Sequence, residues 1–157
     1  MKLPEGIRWR IYHLILPLAH GRSDAPRDSS GPRRYDILGV PVDAVDMAQA
    51  LSFIEGQLAE CQGAPIYILA VNPEKVFAIK KDQFLASFFE KAGLLLPDGI
   101  GVVAALRFLY GARVDRVPGA DLMQAICGLS AERGYKVFLY GAKEEVNAGS
   151  AVELARR

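Results

Sequence analysis

The sequence is poor in the residues that bind metals and form disulfides. It has two cysteines and two histidines, and Cys61 and Cys127 stand far apart without metal-ligand spacing around them. No Cys-x-x-Cys pair, His-rich tract or Asp-x-Asp motif occurs. We therefore expect two reduced thiols in a cytosolic protein, with no disulfide framework, no bound metal and no cofactor.

Long hydrophobic runs are also missing, since none approaches the roughly 20 apolar residues of a membrane-spanning helix. The longest run near the amino terminus, residues 11–19, is interrupted by His13 and Pro17. These breaks, and the lack of a small-residue cleavage site, argue against a signal peptide. Two interpretations stay open: a poorly ordered leader, or a contact with a membrane surface through Trp9, Ile11, Tyr12, Leu14 and Ile15.

Neither positive nor negative charge is in large excess, because the net charge is +1. We therefore expect no nucleic-acid partner. The charge is unevenly distributed: residues 1–34 carry seven Lys or Arg against three acidic residues. Glycine, proline, serine and charged residues dominate 20–34, which predicts a linker. We expect residues 1–34 to be a basic, disordered leader and linker, and residues 35–157 to fold as one domain.

After residue 34, apolar strand patterns alternate with helical patterns. Strands are predicted over 35–38, 40–42, 64–71, 93–97 and 136–140. Helices are predicted over about 46–60, 73–80, 82–90, 99–110 and 119–133, with a further one after Gly141. Asp43 and Asp46 are alternative caps for the first helix. The spacing predicts an α/β, Rossmann-like, mostly parallel sheet with helices on both faces.

Ligands of such sheets bind beyond the carboxyl ends of the strands. Asn72, Asp98-Gly99 and Gly141-Ala142 each follow directly after an apolar strand pattern. This rule selects them as candidate binding residues before any relative is considered.

Asp98 and Asn72 each have two interpretations. A carboxylate at a strand-to-helix turn can act as a general base, but Asp-Gly is also a favoured turn and Asp a favoured helix cap. Asn72, before Pro73, is a typical helix cap whose amide is also able to bind a sugar hydroxyl.

The loop Arg113–Gly119 places cations just before a helix. Exposed amides, the helix dipole and an arginine such as Arg116 together suit a diphosphate; the alternative is a solvated loop with a local Arg–Asp pair. Gly141-Ala142 resembles a nucleotide-contacting turn, but no Gly-x-Gly-x-x-Gly fingerprint occurs. The missing fingerprint counts against an NAD-dependent oxidoreductase.

Five blocks in this order resemble the WecG/TagA/CpsF glycosyltransferase family. They are Ile-Leu-Gly-Val-Pro-Val at 37–42, Val-Asn-Pro-Glu-Lys-Val at 71–76, Leu-Pro-Asp-Gly-Ile-Gly-Val at 96–102, Arg-Val-Pro-Gly-Ala-Asp-Leu at 116–122 and Val-Phe-Leu-Tyr-Gly at 137–141. The resemblance covers residues 35–157.

The resemblance implies transfer of N-acetylmannosamine or a related sugar from a UDP-sugar to polyprenyl-diphosphate-linked N-acetylglucosamine, in cell-surface polysaccharide or teichoic acid synthesis. Transfer is expected to be inverting and metal-independent, at the cytoplasmic side, with a peripheral position at the inner face of the membrane. The proposed base maps to Asp98, and two further family positions map to Asn72 and Arg116. With Gly99, Gly119, Gly141 and Ala142 they form the expected substrate site.

The sequence departs from the family pattern in two places. Ala70 stands where the family often has threonine, which removes one hydroxyl near the site. The family pattern also continues well beyond residue 157, so we expect a chain truncated at its carboxyl-terminal side, with an incomplete sheet whose open edge favours a homo-oligomer or a complementary carboxyl-terminal half. The alternative function is a non-catalytic nucleotide-binding remnant or one half of a split enzyme.

Overall fold

The computed structural model describes residues 31–60, 65–141 and 143–156, and in them strands and helices alternate. The strands are β1 Arg34–Ile37, β2 Val40–Asp43, β3 Ile68–Val71 and β4 Leu94–Pro97. The helices are α1 Met47–Glu60, α2 Pro73–Ile79, α3 Gln83–Glu90, α4 Ile100–Tyr110, α5 Gly119–Arg133 and α6 Glu144–Ala155. This order confirms the predicted α/β class. The expectations for residues 1–30 and for Cys61 lie outside the described residues.

The first two strands form an antiparallel hairpin in which Ile37 pairs with Val40. The two residues between them, Leu38 and Gly39, have φ of 56° and 86°. Positive φ at both positions matches the right-handed twist of the flanking strands. The N–H of Gly39 donates to Oδ1 of Asp36 at 2.8 Å, which closes the turn.

The second pair, β3 and β4, is parallel and buried on both faces. Along the two strands, Leu69, Val71 and Leu95 pack in one core cluster, whereas Ala70, Leu94 and Leu96 pack in the other. Helices α2, α3 and α4 contribute to the first cluster, and α1 and α5 to the second. Helices therefore cover both faces, as predicted. Burying leucine side chains like those of β4 stabilises a fold by about 1.5–3 kcal/mol each.

A buried carboxylate joins the hairpin to the parallel pair. Asp43, at the end of β2, is 1% exposed and accepts hydrogen bonds from Nε and from an Nη of Arg34, both at 2.6 Å. The backbone N–H of Leu95 in β4 donates to its Oδ2 at 2.7 Å. One side chain therefore holds three donors, and Arg34, which composition assigns to the linker, is already part of β1.

The cap of α1 is Asp46 rather than Asp43. Oδ1 of Asp46 accepts from the N–H of Gln49 at 2.8 Å, and Oε1 of Gln49 accepts from the N–H of Asp46 at 3.0 Å. This reciprocal pair is a capping box. It leaves the Asp43 carboxylate for the ion pair with Arg34.

The strand predicted over 136–140 is wrong, because this segment has no strand structure. Among the described residues β3 and β4 pair with each other and not with it. Phe138 and Tyr140 are more than 70% exposed, and α6, which follows, buries none of its described side chains. An apolar composition is not sufficient for a strand, since a strand also needs a neighbour that supplies ladder hydrogen bonds.

Replacing Asp43 with asparagine should strongly destabilise the fold. The substitution keeps the side-chain shape but removes the negative charge opposite Arg34, and breaking a buried pair typically costs about 3–5 kcal/mol. Chemical denaturation followed by circular dichroism measures the free energy of unfolding.

Glu55→Gln is the matched control. Glu55 pairs with Arg133 at 3.0 Å, but both side chains are partly or largely exposed, so the loss should stay below about 1 kcal/mol. Equal stability of Asp43→Asn and the wild type would contradict the role assigned to the buried pair.

Candidate active site

The carboxyl ends of β3 and β4 lie side by side and define one edge of the parallel pair. Val71 and Pro97 are register partners at this edge, and each is the last residue of its strand. The N–H of Asp98 donates to the carbonyl of Val71 at 2.9 Å. Asn72 and Asp98 therefore both begin their loops at the same edge, as the sequence predicts.

Asn72 is the cap of α2. Its Oδ1 accepts from the N–H of Lys75 at 2.9 Å, and Pro73 occupies the first turn. This satisfies one of the amides that every helix start leaves without an intrahelical partner. Helix capping alone is thus sufficient to explain the position of the Asn72 side-chain oxygen.

Asp98 is different, because it does not cap a helix. The cap position of α4 is Gly99, and no side-chain hydrogen bond caps this helix. The carboxylate of Asp98 is half-buried at the strand edge. The capping explanation, which the sequence left open, therefore does not account for Asp98.

Gly99 is held in a backbone conformation that side chains rarely adopt. Its φ is +119°, and a Cβ added there would lie 3.1 Å from Cδ of Pro73 and 3.7 Å from Cβ of Asn72. The starts of α2 and α4 therefore approach each other closely at this point. A glycine is required both by the dihedral angle and by the small space.

The loop before α5 reaches the same edge. The N–H of Val117 donates to the carbonyl of Pro97 at 3.0 Å, which places Arg116 next to the end of β4 in the chain path. A Cβ on Gly119 would lie 3.5 Å from Cβ of Ala70 in β3. The structure thus brings Asn72, Asp98, Gly99, Arg116 and Gly119 to one region.

Arg116 is exposed and is not held by a local ion pair. In the part of the chain that the structure describes, neither Arg113 nor Arg116 forms a salt bridge with Asp115. Arg113 instead lines a separate surface depression of about 410 Å³ together with Tyr35 and Arg107. Arg116 is the arginine of this loop that directly precedes Val117, the residue bound to the end of β4.

Gly141 is not brought to this edge by a strand, since 136–140 does not pair with β3. Gly141 keeps a positive φ of 115°, and the preceding carbonyl of Leu139 accepts a hydrogen bond from the side chain of Asn147 in α6. Ala142 lies outside the described residues. The part assigned to these two residues stays a prediction.

Sequence reasoning missed Lys75. Its Nζ donates to the carbonyl of Ala70 at 2.6 Å and lies 6.0 Å from the centre of the Phe89 ring. Burial lowers the pKa of Lys75 to about 8, and the nearby carboxylates of Asp98 and Glu74 partly oppose this change. The available signal was its position three residues after a capping asparagine, in the first turn of a helix that starts at the sheet edge.

Two further findings concern metal sites and membrane spans in the described residues. Within residues 31–60, 65–141 and 143–156, no group of three or more His, Cys, Asp or Glu side chains is placed to hold a metal ion. Across the same ranges, no helix combines the length and the apolar content that crossing a bilayer needs.

Residues 35–157 match the profile of the Glycosyl transferase WecG/TagA/CpsF family. The chain belongs to this family. It is a member that spans about half the length of the curated relatives it matches.

Two relatives illustrate the match. An N-acetylglucosaminyldiphosphoundecaprenol N-acetyl-beta-D-mannosaminyltransferase of Staphylococcus aureus (strain MRSA252) is 31% identical over 130 residues, which are 83% of this chain and 51% of the relative. A protein of the same name from Bacillus subtilis (strain 168) is 37% identical over 113 residues, which are 72% of this chain and 44% of the relative. By their names, these relatives transfer N-acetylmannosamine to a diphosphoundecaprenol-linked N-acetylglucosamine.

Replacing Gly99 with alanine should destabilise this family member and disturb the site. The new Cβ would force a strained φ and press on Pro73, which we expect to cost about 1–3 kcal/mol. Thermal and chemical unfolding measure the loss.

Gly128→Ala provides the control, since Gly128 lies within α5 and a Cβ there meets nothing within 4 Å. Alanine favours the helix, so this variant should gain up to about 1 kcal/mol. If both alanine variants changed stability alike, the close approach at Gly99 would not be a constraint.

Proposed function

We propose that this protein is, or forms part of, an inverting glycosyltransferase. It transfers N-acetylmannosamine or a related sugar from a UDP-sugar to polyprenyl-diphosphate-linked N-acetylglucosamine. The half-buried Asp98 carries the proposal, because its carboxylate sits at the sheet edge without capping a helix. The names of the relatives support the acceptor and the sugar.

Asp98 acts as the general base. In an inverting transfer the acceptor hydroxyl attacks the anomeric carbon from the face opposite the UDP leaving group, so one displacement is sufficient. The Asp98 carboxylate takes the proton from that hydroxyl as the new bond forms. A base in this position typically contributes about 10²–10⁴-fold to the rate.

The departing UDP gains negative charge, and the loop before α5 is arranged to accept it. Arg116 is exposed and lies just after β4 in the path of the loop. Pro118 occupies the cap position of α5, and no side-chain hydrogen bond caps the first amides of this helix. The amides at the start of α5 and the guanidinium together suit a diphosphate. Gly119 allows the start of α5 to pack against Ala70. Asn72 and Gly99 line the place where the starts of α2 and α4 approach each other.

The relation to the membrane follows from the substrate. A polyprenyl-linked acceptor is embedded in a bilayer, whereas a UDP-sugar is dissolved in the cytoplasm. We propose a cytoplasmic protein that meets the inner face of the membrane as a peripheral protein.

One observation favours a second function. The side-chain oxygen of Asn72 is explained by capping, so this residue needs no part in catalysis. A nucleotide-binding module without catalysis is consistent with this contact. Binding of UDP by the chain without any transfer of sugar would favour the binding module.

Asp98→Asn should reduce sugar transfer by about 10²–10⁴-fold, because an amide cannot accept the proton. The assay follows a labelled sugar from UDP-N-acetylmannosamine to a polyprenyl-diphosphate acceptor, and UDP affinity should be unchanged.

Asp82→Asn is the control, since Asp82 caps α3 through the N–H of Leu85 and asparagine caps equally well. Its transfer rate should equal that of the wild type. Full activity of Asp98→Asn would remove Asp98 as the base.

Arg116→Ala should weaken UDP binding by about tenfold to a hundredfold, as expected for the loss of a charged hydrogen bond worth about 1.5–3 kcal/mol. Isothermal titration calorimetry measures the affinity. Arg113→Ala is matched in loop and chemistry but lines another depression, so its affinity should stay at the wild-type value. Equal losses in both variants would mean that the loop binds UDP only through its overall charge.

A further inference from the structure

Helices α2 and α4 lie on the same face of the parallel strands. Both bury their inner residues in one core cluster, which contains Val76, Ile79, Val102 and Leu106. The starts of the two helices touch, since a Cβ on Gly101 would lie 3.0 Å from Cγ of Pro73. Their outer faces therefore lie on the same side of the molecule, and both begin at the sheet edge that carries the candidate site.

These outer faces are apolar. At helical spacing, Pro73 and Phe77 are exposed on α2, and Ile100, Ala104 and Phe108 are exposed on α4. Three of the side chains are large and mostly uncovered, with exposed fractions of 61% for Phe77, 79% for Ile100 and 90% for Phe108. We call these five residues the α2–α4 face. Single exposed apolar residues are common on proteins, but large ones aligned on two neighbouring helices indicate a contact surface.

The charges at the far end of this face are mainly positive. Lys80 and Lys81 directly follow α2, and Arg107 lies in the last turn of α4. Within the described ranges none of these three cations forms a salt bridge. Of the two carboxylates on or next to these helices, Asp82 is engaged as the cap of α3, and Glu74 lies at the opposite end, in the first turn of α2. The cations are therefore available to an anionic partner.

We propose that the α2–α4 face is a docking surface for a lipid bilayer that contains anionic lipids. Phe77, Ile100 and Phe108 enter the boundary between headgroups and acyl chains, and the cations at the far end bind lipid phosphates. A contact between two copies of this chain fits less well. A two-fold axis through this face would bring cations of the same rim towards each other, and like charges oppose association.

Docking through this face brings the candidate base close to the membrane surface. Ile100 is the first residue of α4 and follows Asp98 by two positions. A chain that rests on the bilayer through α2 and α4 therefore presents the β3–β4 edge to an acceptor held in the membrane. This consequence rests on the proposed function, whereas the affinity for lipid does not.

Vesicle flotation of the full chain tests the surface. Vesicles of phosphatidylcholine alone are compared with vesicles that contain about one-third phosphatidylglycerol. The chain should float with the anionic vesicles and bind them more weakly at high salt, which screens the cations. Phe77→Ser and Phe108→Ser should each lower the partition coefficient about tenfold, because a large apolar side chain no longer enters the bilayer. Circular dichroism should show unchanged folding, since both side chains are exposed.

Phe138→Ser is the matched control. Phe138 is 74% exposed, but it lies in the 135–141 segment, where it lines a separate depression beside α6. Its partition coefficient should equal that of the wild type. Wild-type partitioning of Phe77→Ser and Phe108→Ser, or an equal loss in Phe138→Ser, would overturn the proposal. A wild-type dimer without lipid that Phe108→Ser dissociates in analytical ultracentrifugation would also overturn it, in favour of a contact between copies.

A transfer assay separates the docking surface from the proposed function. If the wild type binds anionic vesicles through this face but transfers no sugar, the proposed function fails and the docking surface stands. If it transfers sugar to an acceptor in detergent but does not bind vesicles, the docking surface fails and the proposed function stands.

Discussion

The buried carboxylate of Asp43 is the interaction on which the arrangement of the strands depends. The hairpin and the parallel pair are separate ladders, and Asp43 bridges them by accepting from Arg34 on one side and from the N–H of Leu95 on the other. A charge that is 1% exposed is tolerated only because three donors surround it. Through Leu95 it fixes β4, and β4 ends at Pro97, directly before Asp98, so the position of the candidate base depends on this bridge.

Three chain segments meet at one sheet edge and form the candidate site. Asn72 closes the start of α2, Gly99 allows α4 to start against Pro73, and Val117 binds the carbonyl of Pro97. Each contact satisfies a backbone group or fills space, and none of the three uses the side chain of Asp98 or Arg116. A general base and a cation for a leaving diphosphate are what an inverting transfer requires.

Much of this was predictable because it is encoded locally. The cap at Asn72, the helices α1 and α5 and the apolar strand β4 each follow from a few neighbouring residues. The features that were missed depend on residues distant in sequence: Arg34 resembles a linker residue until Asp43 is opposite it, and Leu95 is 52 positions from the carboxylate it binds. The 136–140 segment has the composition of a strand, but composition does not reveal whether a neighbouring strand is there to pair with it. Lys75 is an exception, because Ala70 is close to it in sequence and the contact depends on the lysine side chain folding back onto β3.

The assignment of the β3–β4 edge as the ligand site is tested most directly by an amide NMR titration of the chain with UDP. Saturable shifts are expected at Asn72, Asp98, Gly99, Arg116 and Gly119, with smaller changes along α6. Shifts confined to the 135–141 segment and α6, or no saturable shift at any amide, would contradict it.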